Sequence, residues 1–140
     1  MNDALLAEWV VPVDWMKVRD FARAVHDDHA GEEHLVPPPT FPVVLTSDLV
    51  LRLVTELLPV DRSRTVHGEQ EYEYRRPLRV GERVRCRARI LSDSTKEGRR
   101  GGRMRIIVVE VELQEAEGGA AIGWERMTSV EMQSMAEAEA

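Results

Sequence analysis

Between Ser47 and Pro59 the chain reads SDLVLRLVTELLP, in which Leu49, Val50, Leu51, Leu53, Val54, Leu57 and Leu58 are all large aliphatics. Wound at about 3.6 residues per turn, they cover nearly the whole circumference, leaving Arg52, Thr55 and Glu56 as a narrow polar strip. Ser47-Asp48 supplies a capping signal and Pro59 a stop, so the segment predicts a helix ending at Leu58. A helix apolar on most sides cannot stand in water, and the rest of the chain must wrap it.

The segments downstream of Pro59 are suited to wrapping. In Glu69 to Arg76, Glu69, Glu71, Glu73 and Arg75 fall on one face and Gln70, Tyr72, Tyr74 and Arg76 on the other. In Val84 to Ile90, Val84, Cys86, Ala88 and Ile90 oppose Arg83, Arg85, Arg87 and Arg89. Both are period-two strands. KEGRRGGR is a hairpin tip, Met104 to Leu113 a third strand with Glu110 and Glu112 facing away from its aliphatics, and Ile122 to Met132 a fourth. The arginine face is best matched by the glutamates of a neighbouring strand, in pairs of about 0.2–1 kcal/mol each. Tyr72 and Tyr74 read as sheet-face packing, and Gly81 as a turn residue.

Upstream, Glu8 to Val13 reads as a short edge strand containing Pro12. Asp14 caps a first helix predicted over Trp15 to His26, with Val18, Phe21, Ala22 and Val25 at helical spacing. DDHAGEEH is a polar loop, and the prolines of LVPPPTFPV impose an extended path through Pro42. The fold class is therefore α+β, one long central helix wrapped by a curved antiparallel sheet. A single domain is expected over 1–140, with a core of about 8–133 and a frayed tail at 134–140.

Composition narrows function. The net charge of −6 gives no basic field for nucleic acid or an anionic membrane. One cysteine, Cys86, excludes an internal disulfide and a cysteine zinc cage. No apolar run approaches about 18 residues and the N-terminal stretch lacks a signal-peptide pattern, so a cytoplasmic protein is expected.

The stretch HGEQEYEYRRPLRVGERV, from His67 to Val84, resembles the His-x-Glu-Gln…Pro-Leu-x-x-Gly-Asp pattern of the MaoC-like dehydratase N-terminal domain, also called the FAS1-like dehydratase domain, of the hotdog superfamily. VRDFARAV and PPPTFPVVL resemble the same family's first helix and its Pro-Pro-Thr-Phe segment, so the likeness covers about Val13 to Val130. The resemblance implies hotdog dimers or double hotdogs that handle thioesters of coenzyme A or acyl carrier protein. The best-known reaction is the reversible dehydration of (3R)-3-hydroxyacyl thioesters. It implies neither a cofactor nor a metal.

That chemistry needs a base for the α-proton, an acid for the departing hydroxyl and a donor at the thioester carbonyl. Active relatives carry Asp-x-Asn-Pro-x-His after the first helix. At that place this chain has HDDHAGEEH: Asp28 and His34 stand six apart rather than five, and the Asn-Pro pair is missing. Asp28 and His34 are the candidate catalytic pair, with His29 beside them, in a remodelled loop; the other readings are lost chemistry or a plain solvated turn. His26, Asp28, His29 and His34 lack the spacing of a zinc motif. Pro38, Pro39, Thr40 and Phe41 are expected over the tunnel mouth, and His67 with Gln70 along the thioester channel, His67 supporting the site without carrying the proton. Arg99, Arg100, Arg103 and Arg105 offer forks for a coenzyme phosphate or form a solvated tip.

The leading expectation is a subunit of an (R)-specific 3-hydroxyacyl-thioester dehydratase (enoyl hydratase). The chain is then either a substrate-binding half that takes its Asp and His from a partner hotdog, or a homodimer using Asp28 and His34. A hotdog thioesterase, with Asp48 or Glu56 as the only carboxylates to activate water, and a non-enzymatic acyl-thioester binder are the alternatives.

Overall fold

Alternation along the strands decides the architecture. In the computed structural model, which describes residues 5–133, five strands form one antiparallel sheet. They are β1 (Leu5–Pro12), β2 (Thr65–Tyr74), β3 (Arg83–Glu97), β4 (Arg103–Glu115) and β5 (Ala121–Met132), in the spatial order β1-β3-β4-β5-β2. Helix α1 (Trp15–Ala24) and the long helix α2 (Pro42–Leu57) complete the chain with a short 3-10 turn at Arg62–Arg64. This is the α+β hotdog arrangement that the pattern predicts. The tail expected at 134–140 lies outside the described residues.

Val84, Cys86, Ala88, Val109, Val111, Leu113 and Ile122 line the inner face of the sheet and are all buried, together with Leu45, Val50 and Val54 from α2 and Val18 and Ala22 from α1. Each of the valine, leucine and isoleucine side chains contributes about 1.5–3 kcal/mol by leaving water. The outer face carries the anticipated charge ladder. Glu110 accepts from Arg89 at 3.1 Å and from Arg126 at 2.8 Å, and Arg85 donates to Glu8 at 2.7 Å. These partly exposed pairs are worth much less apiece, so the inner face holds the fold and the ladder fixes register.

The strands run a few residues past or short of their predicted ends, and two helix boundaries differ by more than one residue from the sequence reading. The first helix ends at Ala24, not His26, because His26 takes a left-handed backbone (φ 59°). There its N–H reaches the Arg23 carbonyl at 3.1 Å and that of Asp27 reaches the Ala22 carbonyl at 2.9 Å, a Schellman closure with histidine in the usual glycine position. Helix α2 starts at Pro42, so Pro42 opens the helix instead of forbidding it. A proline ring is preset for the first helical turn, where its missing N–H would have had no partner. Ser47 and Asp48 consequently lie inside the helix.

The wrapping is one-sided. Leu45, Thr46, Val50 and Val54 are buried against the sheet, whereas Leu51 and Leu57 remain 46% and 56% exposed. A single sheet covers about half of a helix, and the remaining apolar stripe of α2 faces outward beside β2. Strand β2 pairs with β5 on one side and, among the described residues, with nothing on the other.

Candidate functional site

Helix α2 forms one wall of a slot of about 340 Å³. Val43, Val50, Leu51 and Val54 line it from the helix, Val109 and Met127 from the sheet floor, and Val66, His67 and Gln70 from edge strand β2. Polar side chains, Arg62, His67 and Gln70 among them, interrupt these apolar walls, which suits an acyl chain with a polar head. His67 and Gln70, paired in the sequence motif, thus share one cavity.

Behind Gln70 stands a group that the sequence reading did not single out. Glu125, on β5, has no exposed surface. Its Oε1 accepts from Gln70 Nε2 at 2.7 Å, and its Oε2 lies 2.9 Å from Thr46 Oγ1 of α2. Burial raises the carboxyl to about 7 against the opposing pull of the Thr46 and Gln70 hydrogen bonds. Thr46 Oγ1 also lies 3.1 Å from the Pro42 carbonyl, yet a hydroxyl has one proton to donate. Ionised, Glu125 accepts from Thr46; protonated, it can donate to Thr46 Oγ1 while Thr46 donates to the Pro42 carbonyl. One carboxyl therefore joins α2, β2 and β5 at the back of the slot. The signal was available: Glu125 is in phase with Met127 and opposite Val111, so period two puts a carboxylate on the core face.

Gly123, two residues before it, has a packing reason. A Cβ there would sit 2.0 Å from the Glu73 carbonyl oxygen, so only glycine lets β2 and β5 approach.

The DDHAGEEH loop borders a different cleft, of about 650 Å³, between the proline segment and the Tyr74–Leu78 turn. His29, His34 and Pro39 line it. Asp28 is exposed and stands outside that wall, where Asp27 takes the corresponding place. No hydrogen bond or ion pair joins Asp28 to His34 among the described residues. Instead, the backbone N–H of His29 donates to Asp27 at 2.9 Å, and His29 Nδ1 meets Glu32 Oε1 at 2.6 Å. The Glu32 carboxylate raises the His29 pKa.

The Pro38–Phe41 segment borders the larger cleft through Pro38 and Pro39. Tyr74 donates its hydroxyl to the Pro39 carbonyl at 2.5 Å, and Tyr72 to that of Thr40 at 3.4 Å, so two tyrosines of β2 hold the segment down. Burial and the nearby Glu125 charge push the Tyr72 hydroxyl up to about 12, which keeps it a donor. Thr40 is exposed, whereas Phe41 is fully buried, edge-on to Phe21 with ring centres 5.7 Å apart. Phe41 belongs to neither cavity wall and anchors the segment from below.

Of the remaining candidates, Glu56 pairs with Arg52 at 3.5 Å and Asp48 is exposed. Arg105 is held by Asp93 through contacts of 2.9 and 2.8 Å, while Arg99 and Arg100 are exposed at the hairpin tip. Among the described residues no cluster of metal-ligating side chains forms, and no helix is long and apolar enough to cross a membrane.

The model of the FAS1-like, dehydratase domain region matches residues 4–122, from β1 into β5. The chain belongs to this family. Within the FAS1-like dehydratase family it is 35% identical over 108 residues to a UPF0336 protein of Tropheryma whipplei, an alignment covering 69% of this chain and 74% of that one. It is also 36% identical over 87 residues to a UPF0336 protein of Thermobifida fusca, covering 54% of this chain and 57% of the relative. The match thus spans little more than half of the Thermobifida protein's length. Among solved structures, the HadBC (3R)-hydroxyacyl-ACP dehydratase complex of Mycobacterium tuberculosis superposes with a TM-score of 0.71 at 23% identity, over 93% of this chain and 98% of that one. A MaoC-like dehydratase superposes with a TM-score of 0.74 at 20% identity, over 91% of this chain but 42% of the other. At these identities the structural likeness establishes the hotdog fold.

Proposed function

We propose that this chain is the substrate-binding half of a two-hotdog (3R)-3-hydroxyacyl-thioester dehydratase, working in the cytoplasm on thioesters of coenzyme A or acyl carrier protein. The observation that carries this reading is the separation of the two clefts. The apolar slot with His67 and Gln70 lies between α2 and β2, whereas Asp28 and His34 sit on a loop beside another cavity, without contact to each other. An acid and a base must both reach the reacting carbons of one bound substrate. A chain that offers the slot without a dyad in it takes the dyad from a second hotdog.

Two further facts support a second half. Among the described residues strand β2 is an open edge, with Val66 on it and Leu51 across the slot both exposed, an arrangement that proteins cover. In the MaoC-like dehydratase the matching unit is 42% of a longer chain, and HadBC is a complex. In this reading the acyl chain lies along Val50, Val54 and Met127. Gln70, held by Glu125, and His67 meet the polar thioester end, and the partner supplies proton transfer.

The test is hydration of crotonyl-CoA, followed by loss of enoyl absorbance, for the chain alone and with each candidate partner hotdog. Activity with a partner only is expected. Activity of the chain alone that vanishes in Asp28→Asn or His34→Ala would replace this reading with a self-sufficient homodimer, and release of free thiol without hydration would replace it with a thioesterase.

A further inference from the structure

Glu125 has no exposed surface, and no arginine, lysine or histidine pairs with it among the described residues. What faces it is neutral. Thr46 comes from α2, Gln70, Tyr72 and Tyr74 from β2 and Cys86 from β3, while Val111 stands opposite it on β4. Burial pushes the Tyr72 hydroxyl and the Cys86 thiol up to about 12 and raises the Tyr74 hydroxyl as well. The Glu125 carboxyl, at about 7, is the one group of this set that titrates near neutrality.

Protonation changes what Glu125 offers to Gln70. A carboxylate only accepts hydrogen bonds, whereas a carboxylic acid has one proton to donate. Ionised, Glu125 can be met only by the amino end of the Gln70 carboxamide, as in the 2.7 Å contact from Nε2. The amide oxygen of Gln70 then accepts from no group among the described residues, and Gln70 lines the slot. Protonated, Glu125 has two places for its proton. On Oε2 the proton goes to Thr46 and the amide stays as it is. On Oε1 it goes to the Gln70 oxygen, which requires the amide to turn over and frees an N–H for the slot. The Tyr72 hydroxyl, which also bonds Gln70, suits both arrangements, since it accepts from an N–H or donates to an oxygen.

The two arrangements differ for a ligand. An acyl thioester brings a carbonyl, an acceptor with no proton of its own. Against the amide oxygen it sets two acceptors face to face, and against the N–H it gains a hydrogen bond. A carbonyl in the slot therefore selects the carboxyl protonated on Oε1. We propose that Glu125 is a positioning residue acting through Gln70, its proton deciding whether the slot shows a thioester carbonyl a donor or an acceptor. The inference rests on the reading of the slot as a thioester site and adds what holds the carbonyl there. His67 and Arg62 are the other ionisable groups of the slot wall, and neither is bonded to Glu125 among the described residues.

The probes are octanoyl-CoA and S-octyl-CoA, a thioether with the same chain length and phosphates but no carbonyl. Calorimetry on the purified chain gives the ratio of their affinities at pH 6 and at pH 8, and the ratio cancels the titration of the coenzyme itself. Between those values the protonated fraction of Glu125 falls about tenfold. The preference for octanoyl-CoA is expected to fall about tenfold with it in the wild type. In Glu125→Gln, whose carboxamide donates and accepts at any pH, the preference is expected to stay level. A merely structural role for Glu125 would weaken both probes alike. A level preference in the wild type, or an equal fall in Glu125→Gln, overturns the proposal and leaves the thioester slot standing. Failure of octanoyl-CoA to bind at either pH overturns the thioester reading with it. Should Glu125→Gln fail to fold by circular dichroism, Gln70→Leu decides: a level preference is expected, and a fall matching the wild type's overturns the proposal.

Discussion

Gln70 Nε2 donates to Glu125 Oε1 at 2.7 Å, which fixes the orientation of the one carboxamide in the slot and ties edge strand β2 to the interior carboxyl of β5.

The same relationship sets a pH dependence. Glu125 titrates at about 7 when folded, against 4.5 for the ordinary carboxyl, so the folded state holds the proton more tightly between those values. The resulting stability is fully present below about pH 4.5 and is lost as the pH rises to about 7, a change of up to roughly 3 kcal/mol. Urea unfolding from pH 5 to 8 is expected to show this decline, and Glu125→Gln to flatten it. A wild-type profile with the same slope as the variant's would contradict it.

Glu125→Ala differs in kind from Glu125→Gln. It leaves Gln70 and buried Thr46 without their shared partner and opens a cavity, so a loss of about 3 kcal/mol or more is expected at pH 5, read as a lower urea midpoint, and a smaller one at pH 8.

Gly123→Ala adds one methyl group 2.0 Å from the Glu73 carbonyl oxygen, a backbone atom that cannot step aside without parting β5 from β2. The expected cost exceeds about 3 kcal/mol, at the upper end for overpacking. Thermal unfolding would show it, whereas Gly81→Ala, in open space but at φ 88°, should cost about 1 kcal/mol.

Tyr74→Phe removes a 2.5 Å hydrogen bond and Tyr72→Phe a 3.4 Å one, both to the proline segment. The first is expected to cost about 1 kcal/mol and the second less than half of that, in parallel denaturation curves.

Cys86 is buried in the inner face of β3, where burial pushes its thiol up to about 12. A thiol that is neither accessible nor ionised does not react. At pH 8 a disulfide reagent is expected to modify it only as fast as the protein unfolds; rapid modification under native conditions would mean that the β3 core is open.

Along each strand the sequence alone decided which residues face the core and which face the ladder, because alternation is a local property of the extended chain. Val84, Cys86 and Ala88 point in and Arg85, Arg87 and Arg89 point out whatever their neighbours. The aliphatic content of α2 was legible from helical spacing, whereas His67 and Gln70, of opposite parity, share the slot because β2 has a bulge between His67 and Glu69. The helix starts needed context: Pro42 reads as a barrier until the preceding turn is seen to make it the first helical residue.

Tertiary structure alone decided the distances. Asp28 and His34 are six residues apart in sequence, yet nothing local says whether their loop turns toward the slot or away from it; the fold placed it at a separate cleft. It also determined that α2 is covered on one side and that Glu125, Gln70 and Thr46, from three elements, meet at one buried point. Local periodicity tells a side chain which face to take. Its partner is set by non-local strand register and by how a helix lies across the sheet, which no short stretch of this chain encodes.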